Sequence, residues 1–306
     1  MEYKKKWLSF NQQAAKLKER GLVFDEHKLI SCLSSVGYYR LSGYWYIFKR
    51  NPGTEDESFI DGTSFDRVWD LYLFDRDFRL IVLDAIERVE VYIRSQLAYR
   101  LGEISGPFGF FNRSTLPNLD QSQYGRFISR CLVSYDRSKT LFIEHFKDKY
   151  GDCHGLPPYW TLVNIMDFGM TLTLFEGSPN AIKKEIAHDM GIPSDVLNSW
   201  LLTLNTIRNI CAHHDRLWNR RLAYRVKIPR GRKYPDWHKP HEVNNRSSFT
   251  VITILGYLIS RIDPDSTWHT RTIKLIQTRN EDDLFRMGFT NNWKDCPLWV
   301  RWLRSS

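Results

Sequence analysis

The chain has 306 residues, 42% of them apolar and 14% aromatic, which excludes a disordered polymer and allows one large or two small domains without disulfide staples. Its 44 Lys and Arg against 35 Asp and Glu leave a formal charge of +9; that balance suits a polyanionic partner such as nucleic acid and equally a plain solvated basic surface. No apolar run approaches the ~18 residues that span a bilayer, so no membrane partner is expected. Cys32, Cys131, Cys153, Cys211 and Cys296 form no CxxC pair, which argues against a thiolate zinc site. The charged start, Met1–Lys6, is not followed by an apolar leader segment, so a reducing, cytoplasmic setting is expected.

The pattern is helical nearly throughout. Ser9 followed by Gln12 reads as a capping box that opens a helix ending at Gly21. Asp25 caps a second helix that runs to about Val36, before Gly37. The aromatic stretch Tyr38–Phe48 (YYRLSGYWYIF) fits helix or strand by composition, with Gly43 interrupting it. Asn51–Gly62 is polar and turn-rich, a loop. From about Ser64 to Glu103, Val68, Leu71, Phe74, Phe78, Ile81, Ala85, Val89, Ile93, Leu97 and Leu101 recur at steps of three and four, the spine of an all-α domain. Gly106-Pro107 ends it.

Beyond a loop-like stretch over 108–120, helical patterns resume near Gln121 and over Ser138–Lys149. Pro157-Pro158 precedes a mostly apolar helix to Phe175. A short amphipathic helix over Asn180–Met190 is followed by one capped by Ser194, which runs into RNICAHHDRLWNR (208–220). A basic, proline-broken stretch over 220–240 and an apolar helix over Phe249–Ile262 lead to a tail with Trp293, Trp299 and Trp302. The expected architecture is an all-α bundle: an N-terminal helical and aromatic segment (1–62), a helical core (63–262) and a C-terminal extension (263–306).

Arg208, Asn209, His213 and His214 sit near the C-terminal end of a helix. Arg is a permanent cation whose planar fork matches phosphate, and His exchanges a proton near neutral pH. Together they supply what RNA cleavage by the 2′-hydroxyl requires: proton transfer, and a cation for the charge that develops on the phosphate. Asn209, four residues before His213, is placed to orient the imidazole. An Arg and a following His with four to six residues between them recur at Arg20–His27 and Arg232–His238, but Gly21 and Pro235 break those segments. The structural alternative is an Arg that caps the helix end and two His in a polar pocket. On an ideal helix Arg208 and His213 lie about 140° apart, so a joint site needs a bend, a long reach or a second copy of the motif. A symmetric homodimer provides the last.

The spacing at Arg208, Asn209 and His213 resembles the ribonuclease motif of the HEPN superfamily. YYRLSGYWYIF (38–48), LYLFDRDFRLIVLDAIERVEVYIR (71–94), LPPYWTLVNIMDFG (156–169) and RNICAHHDRLWNR, in that order, are similar to the bacterial Abi-like family of AbiD and AbiF type, over about residues 25–222. The resemblance implies a HEPN-like helical core, a role in abortive infection, metal-independent RNA cutting by a dimer, and in some members an associated small non-coding RNA. It makes Arg208 and His213 the catalytic candidates, Asn209 the orienting group and His214 the alternative proton carrier. A non-catalytic module that grips such an RNA is the competing expectation. Nucleotide transfer is disfavoured because no Gly-rich phosphate loop is present.

Other candidates each carry a plainer alternative. Arg216, Arg220, Arg221 and Arg225, with Trp218 and Tyr224 between them, read as a phosphate-contacting strip or as a solvated turn over a packed Trp218. Glu90 and Arg94, four apart on the long helix, are an intrahelical ion pair or the lining of a cleft beside His213. Tyr39 and Arg40 are a stacking and phosphate-binding pair or part of a packed aromatic interface. The remaining His show no repeating ligand spacing, so no metal and no cofactor are expected.

Overall fold

The computed structural model describes residues 2, 6–241 and 243–304; Met1 and Tyr3–Lys5 of the charged N-terminal segment lie outside them. The described residues form an all-α chain with fourteen α-helices and no strand. The chain divides into two compact units, Met1–Arg79 and Leu80–Ser306.

In the first unit, Ser9 caps α1 (Phe10–Glu19) through a reciprocal capping box: Gln12 N–H donates to Ser9 Oγ and Ser9 N–H to Gln12 Oε1. Asp25 accepts from the Lys28 N–H at 2.8 Å and opens α2 (Glu26–Val36). Gly37, at φ +87°, separates α2 from α3 (Tyr38–Trp45). The aromatic stretch is thus helical, and Gly43 does not interrupt it. Helical spacing puts Leu41, Tyr44 and Trp45 on one buried face, and that burial outweighs a single glycine. Tyr38 meets Trp45 edge-on at 5.0 Å between ring centroids. Tyr39 is 92% exposed and Arg40 is exposed too.

The long α4 (Phe65–Ser105) starts in this unit. Its predicted apolar stripe is buried, except for Ile81, which is half-buried. On the same helix, Asp75 and Arg79 are one turn apart and deeply buried. Arg79 Nη1 donates to Asp75 Oδ2 at 2.6 Å, and the Tyr44 hydroxyl donates to the same oxygen at 2.7 Å. Burial and the neighbouring carboxylate push the Tyr44 hydroxyl well above the ordinary phenol range, so it stays a donor.

The second unit adds α5 (Gln121–Arg137), with a capping box from Asp120 and Gln123, and α6 (Leu141–Tyr150). The apolar stretch after Pro158 is not one helix. It forms a short α7 (Tyr159–Leu162) and a 3-10 turn, then restarts as α8 (Phe168–Gly177). The break lies at Asp167, whose Oδ1 accepts from the Met170 N–H at 2.8 Å and caps a new helix. After α9 (Asn180–Asp189) comes α10 (Ser194–Ala212). Ser194 is its first residue rather than its cap, and Pro193 holds the cap position with no side-chain bond.

α11 (Ser248–Ile262) is buried along most of its length. α12 (Trp268–Gln277), α13 (Glu281–Arg286) and α14 (Pro297–Arg304) follow. The tail tryptophans close on α11: Trp299 Nε1 donates to Thr253 Oγ1 at 2.9 Å and Trp302 Nε1 to Ser260 Oγ at 3.2 Å. The Trp302 ring lies so close to Gly256 that a Cβ there would come within 2.4 Å of it, so only glycine fits.

Candidate functional site

α10 ends in a Schellman arrangement. The Asp215 N–H reaches back to the Ile210 carbonyl at 2.9 Å and the His214 N–H to the Cys211 carbonyl at 3.0 Å. His213 is the C-cap, and His214, at φ +60°, takes the left-handed position that normally belongs to glycine. Eight glycines take the other positive-φ positions among the described residues, and His214 is the only non-glycine to do so. A left-handed side chain costs roughly 1–2 kcal/mol. His214→Gly is therefore expected to keep the cap and raise stability by about 0.5–1 kcal/mol, while His214→Val lowers it by a similar or larger amount. Urea denaturation midpoints of the two variants read this directly.

This cap brings four predicted residues to one solvent-facing helix end. Asn209, His213 and His214 are exposed and Arg208 is half-buried. Asn209 does not meet the His213 ring through its side chain: its Oδ1 accepts from Arg208 Nη1 at 3.4 Å. The link from Asn209 to His213 runs through the backbone, with the His213 N–H on the Asn209 carbonyl.

Behind Arg208 stands a polar cluster from α4 and the start of α8. Glu90, 9% exposed, pairs with Arg94. Arg94 also donates to the Met166 carbonyl and to Thr171 Oγ1. Asp167 receives both bonds of Arg130 Nη2, at 2.8 and 3.0 Å. Burial pushes the Glu90 carboxyl up from the ordinary carboxylate range; Arg94 and then Arg208 oppose that shift, and Asp167 adds to it. Arg208 is thus near enough to Glu90 for its charge to act on it.

Because burial outweighs those two cations, the folded state holds the Glu90 proton more tightly than the unfolded chain does. That contribution is complete below the unfolded pKa and is lost as pH rises through the folded one. The stability of the unaltered chain relative to Glu90→Gln is expected to fall as pH is raised from about 4 towards neutrality. Urea midpoints of both proteins across that range measure it, and a constant difference would refute it.

The basic strip lies on the other side of α10. Trp218 is fully buried beneath it, and Ser248 Oγ donates to the Leu217 and Trp218 carbonyls. Arg216 and Arg220 are half-buried, Arg221 and Arg225 exposed, and Tyr224 is 82% exposed. Arg220, Arg221 and Arg225 line a groove of about 720 Å³ against α10; Arg216 does not line it. Tyr39 and Arg40 belong to the first unit. Sequence reasoning passed over Asp167 and Thr171, whose signal was a helix-capping Asp inside an apolar run, and Asn198 in the groove wall, which carried no signal.

Among the described residues no group of three or more His, Cys, Asp or Glu is placed to hold a metal ion. No helix among them is long and apolar enough to cross a membrane. No curated protein and no solved structure matches the chain. Residues 31–219 match the Abi-like protein family, a span that includes α4, the Asp167 break and the whole of α10 with its histidine cap. The chain therefore belongs to the Abi-like family, a membership that implies a part in abortive-infection defence against phage.

Proposed function

We propose that this chain is a metal-independent endoribonuclease of the HEPN type, acting in the cytoplasm as a toxin-like element of abortive infection. The observation that carries the reading is the grouping of Arg208, Asn209, His213 and His214 at the open end of α10, with one histidine held in a conformation that costs stability. In this scheme His213 takes the proton from a ribose 2′-hydroxyl. The 2′-oxygen forms a bond to the adjacent phosphorus, and the bond from phosphorus to the 5′-oxygen breaks. The departing oxygen is protonated by a second imidazole, His214 or the partner copy of His213. Arg208 spreads its fork on the phosphate oxygens. The products are a 2′,3′-cyclic phosphate and a 5′-hydroxyl.

The two key groups diverge around the helix, so a homodimer that sets two α10 ends face to face supplies the missing partners. The test is incubation of the full chain with RNA in excess EDTA, with chemical identification of the ends. Cyclic-phosphate ends are expected, and no cleavage, or 3′-hydroxyl ends, would remove the proposal. A second reading, an RNA-holding module, is favoured by Arg208 Nη1 being already engaged with Asn209 Oδ1 at 3.4 Å rather than with a histidine. That reading predicts RNA recovered intact with the protein.

A further inference from the structure

The groove along α10 has features that neither the motif nor the cap requires. One wall is the helix from Asp195 to Ile210, a rise of about 22 Å. The other is the segment from Arg220 to Lys227, which is tied at both ends. Leu222 and Val226 donate backbone N–H groups to the carbonyls of Arg246 and Asn245. Lys227 is held by Ser199 Oγ at 3.0 Å, by Asp195 at 2.9 Å and through its carbonyl by Trp200 Nε1 at 2.8 Å. Between those ties Ala223, Tyr224 and Arg225 line the groove, a strap held at both ends.

The floor is apolar, with Leu202, Ile207 and Ile210, and the rim is cationic, with Arg220, Arg221 and Arg225. Tyr224 stands at the mouth with most of its ring in solvent. In the wall, Asn198 has a buried Oδ1 with no hydrogen-bond partner. Such an orphan normally costs stability, and a turn of the amide would offer both its donor and its acceptor to the groove.

We infer that this groove takes an unpaired nucleobase of single-stranded RNA, stacked on Tyr224 and contacted at its edge by the Asn198 amide, with the flanking phosphates on the arginine rim. The inference deepens the proposed nuclease reading and rests on it for the identity of the polymer. An exposed aromatic ring and apolar lining beside guanidinium groups match the two parts of a nucleotide. A second copy of this chain is the poorer occupant, because it would bring another cationic rim, from a chain of charge +9, against the first. Ile210, the last groove residue on α10, lies between Asn209 and His213 in the chain. Asn198 lies fifteen residues before His213, a rise of about 22 Å along α10, so a base seated against it belongs to a nucleotide several positions from the one whose phosphate is attacked.

The experiment measures binding of a short, end-labelled single-stranded RNA to the full chain carrying His213→Ala, by fluorescence anisotropy. A parallel series carries one abasic nucleotide at each position. Tyr224→Ala and the groove-filling Leu202→Trp, each at a solvent-exposed site, are expected to weaken binding about tenfold. One abasic position is expected to weaken it similarly, and to have no further effect once Tyr224 is replaced. Asn198→Leu is expected to flatten the preference among bases at that position. Affinity unchanged in both groove variants, or a flat abasic series, overturns the inference. So does a Leu202→Trp protein whose sedimentation changes while its RNA affinity does not, since that assigns the groove to a second copy. Cleavage by the unaltered chain together with any of these results sinks the groove alone. Base-dependent binding without cleavage sinks the nuclease alone.

Discussion

Arg208→Ala and His213→Ala are each expected to lower RNA cleavage by at least about 100-fold. The double variant should lose little more than the worse single one, because the two groups act on the same phosphate in one step. Both side chains are at least partly solvent-exposed, so each variant should keep its fold, and circular dichroism checks that. The pair also reports where the two groups meet. If one copy's guanidinium works with the other copy's imidazole, mixing the two inactive proteins restores one intact centre per mixed dimer. Recovery towards roughly a quarter of full activity is then expected from random pairing. No recovery on mixing would place the arginine and histidine of each centre on one chain, and would remove the need for a second copy.

The largest stability effect is expected far from that chemistry, at Asp75. Its carboxylate is fully buried and accepts from Arg79 and from the Tyr44 hydroxyl. Asp75→Ala leaves a buried guanidinium and a buried phenol without that acceptor, at a cost of about 3–5 kcal/mol. Against a total stability of about 5–15 kcal/mol, that is enough to lower expression or prevent folding. Tyr44→Phe keeps the ion pair and removes the hydroxyl's bond to Asp75 and the weaker 3.3 Å bond it accepts from Arg79 Nη1, so a smaller loss of about 1.5–3 kcal/mol is expected. Urea denaturation of Tyr44→Phe and Asp75→Asn keeps the comparison measurable if Asp75→Ala does not fold. A loss in Asp75→Asn no larger than that of an exposed-site variant would show that the charge is not needed there.

The helices legible in the sequence are those whose ends are written locally. Ser9 with Gln12, and Asp25 before α2, carry their caps within three residues, and the stripe of α4 repeats through ten positions. The break before α8 was hidden because an apolar run from Tyr159 to Phe175 looks continuous unless the Asp167 side chain is known to turn back on Met170. Likewise, Tyr38–Trp45 is decided by burial against neighbours, which composition does not record. At the candidate site, the motif residues are neighbours in the chain and could be named from it. The approach of Arg208 to Glu90, more than a hundred residues away, is a matter of helix packing. So is the strap at the α10 groove, whose ties at Arg246 and Ser199 lie outside the basic segment itself. The end of α10 is legible near His213 and His214, where the structure has it; the turn itself is made by a histidine, where glycine would have been the usual signal.

The family match stops at residue 219, whereas α11 starts at Ser248 and is buried along most of its length. A recombinant fragment trimmed to the matched span would lose the helix whose Ser248 holds the Leu217 and Trp218 carbonyls, and it would strand those residues in water. Evolutionary recognisability and autonomous folding thus part company here. The segment beyond the match supplies one apolar helix and a tryptophan clasp, so any change within it has to meet those packing demands.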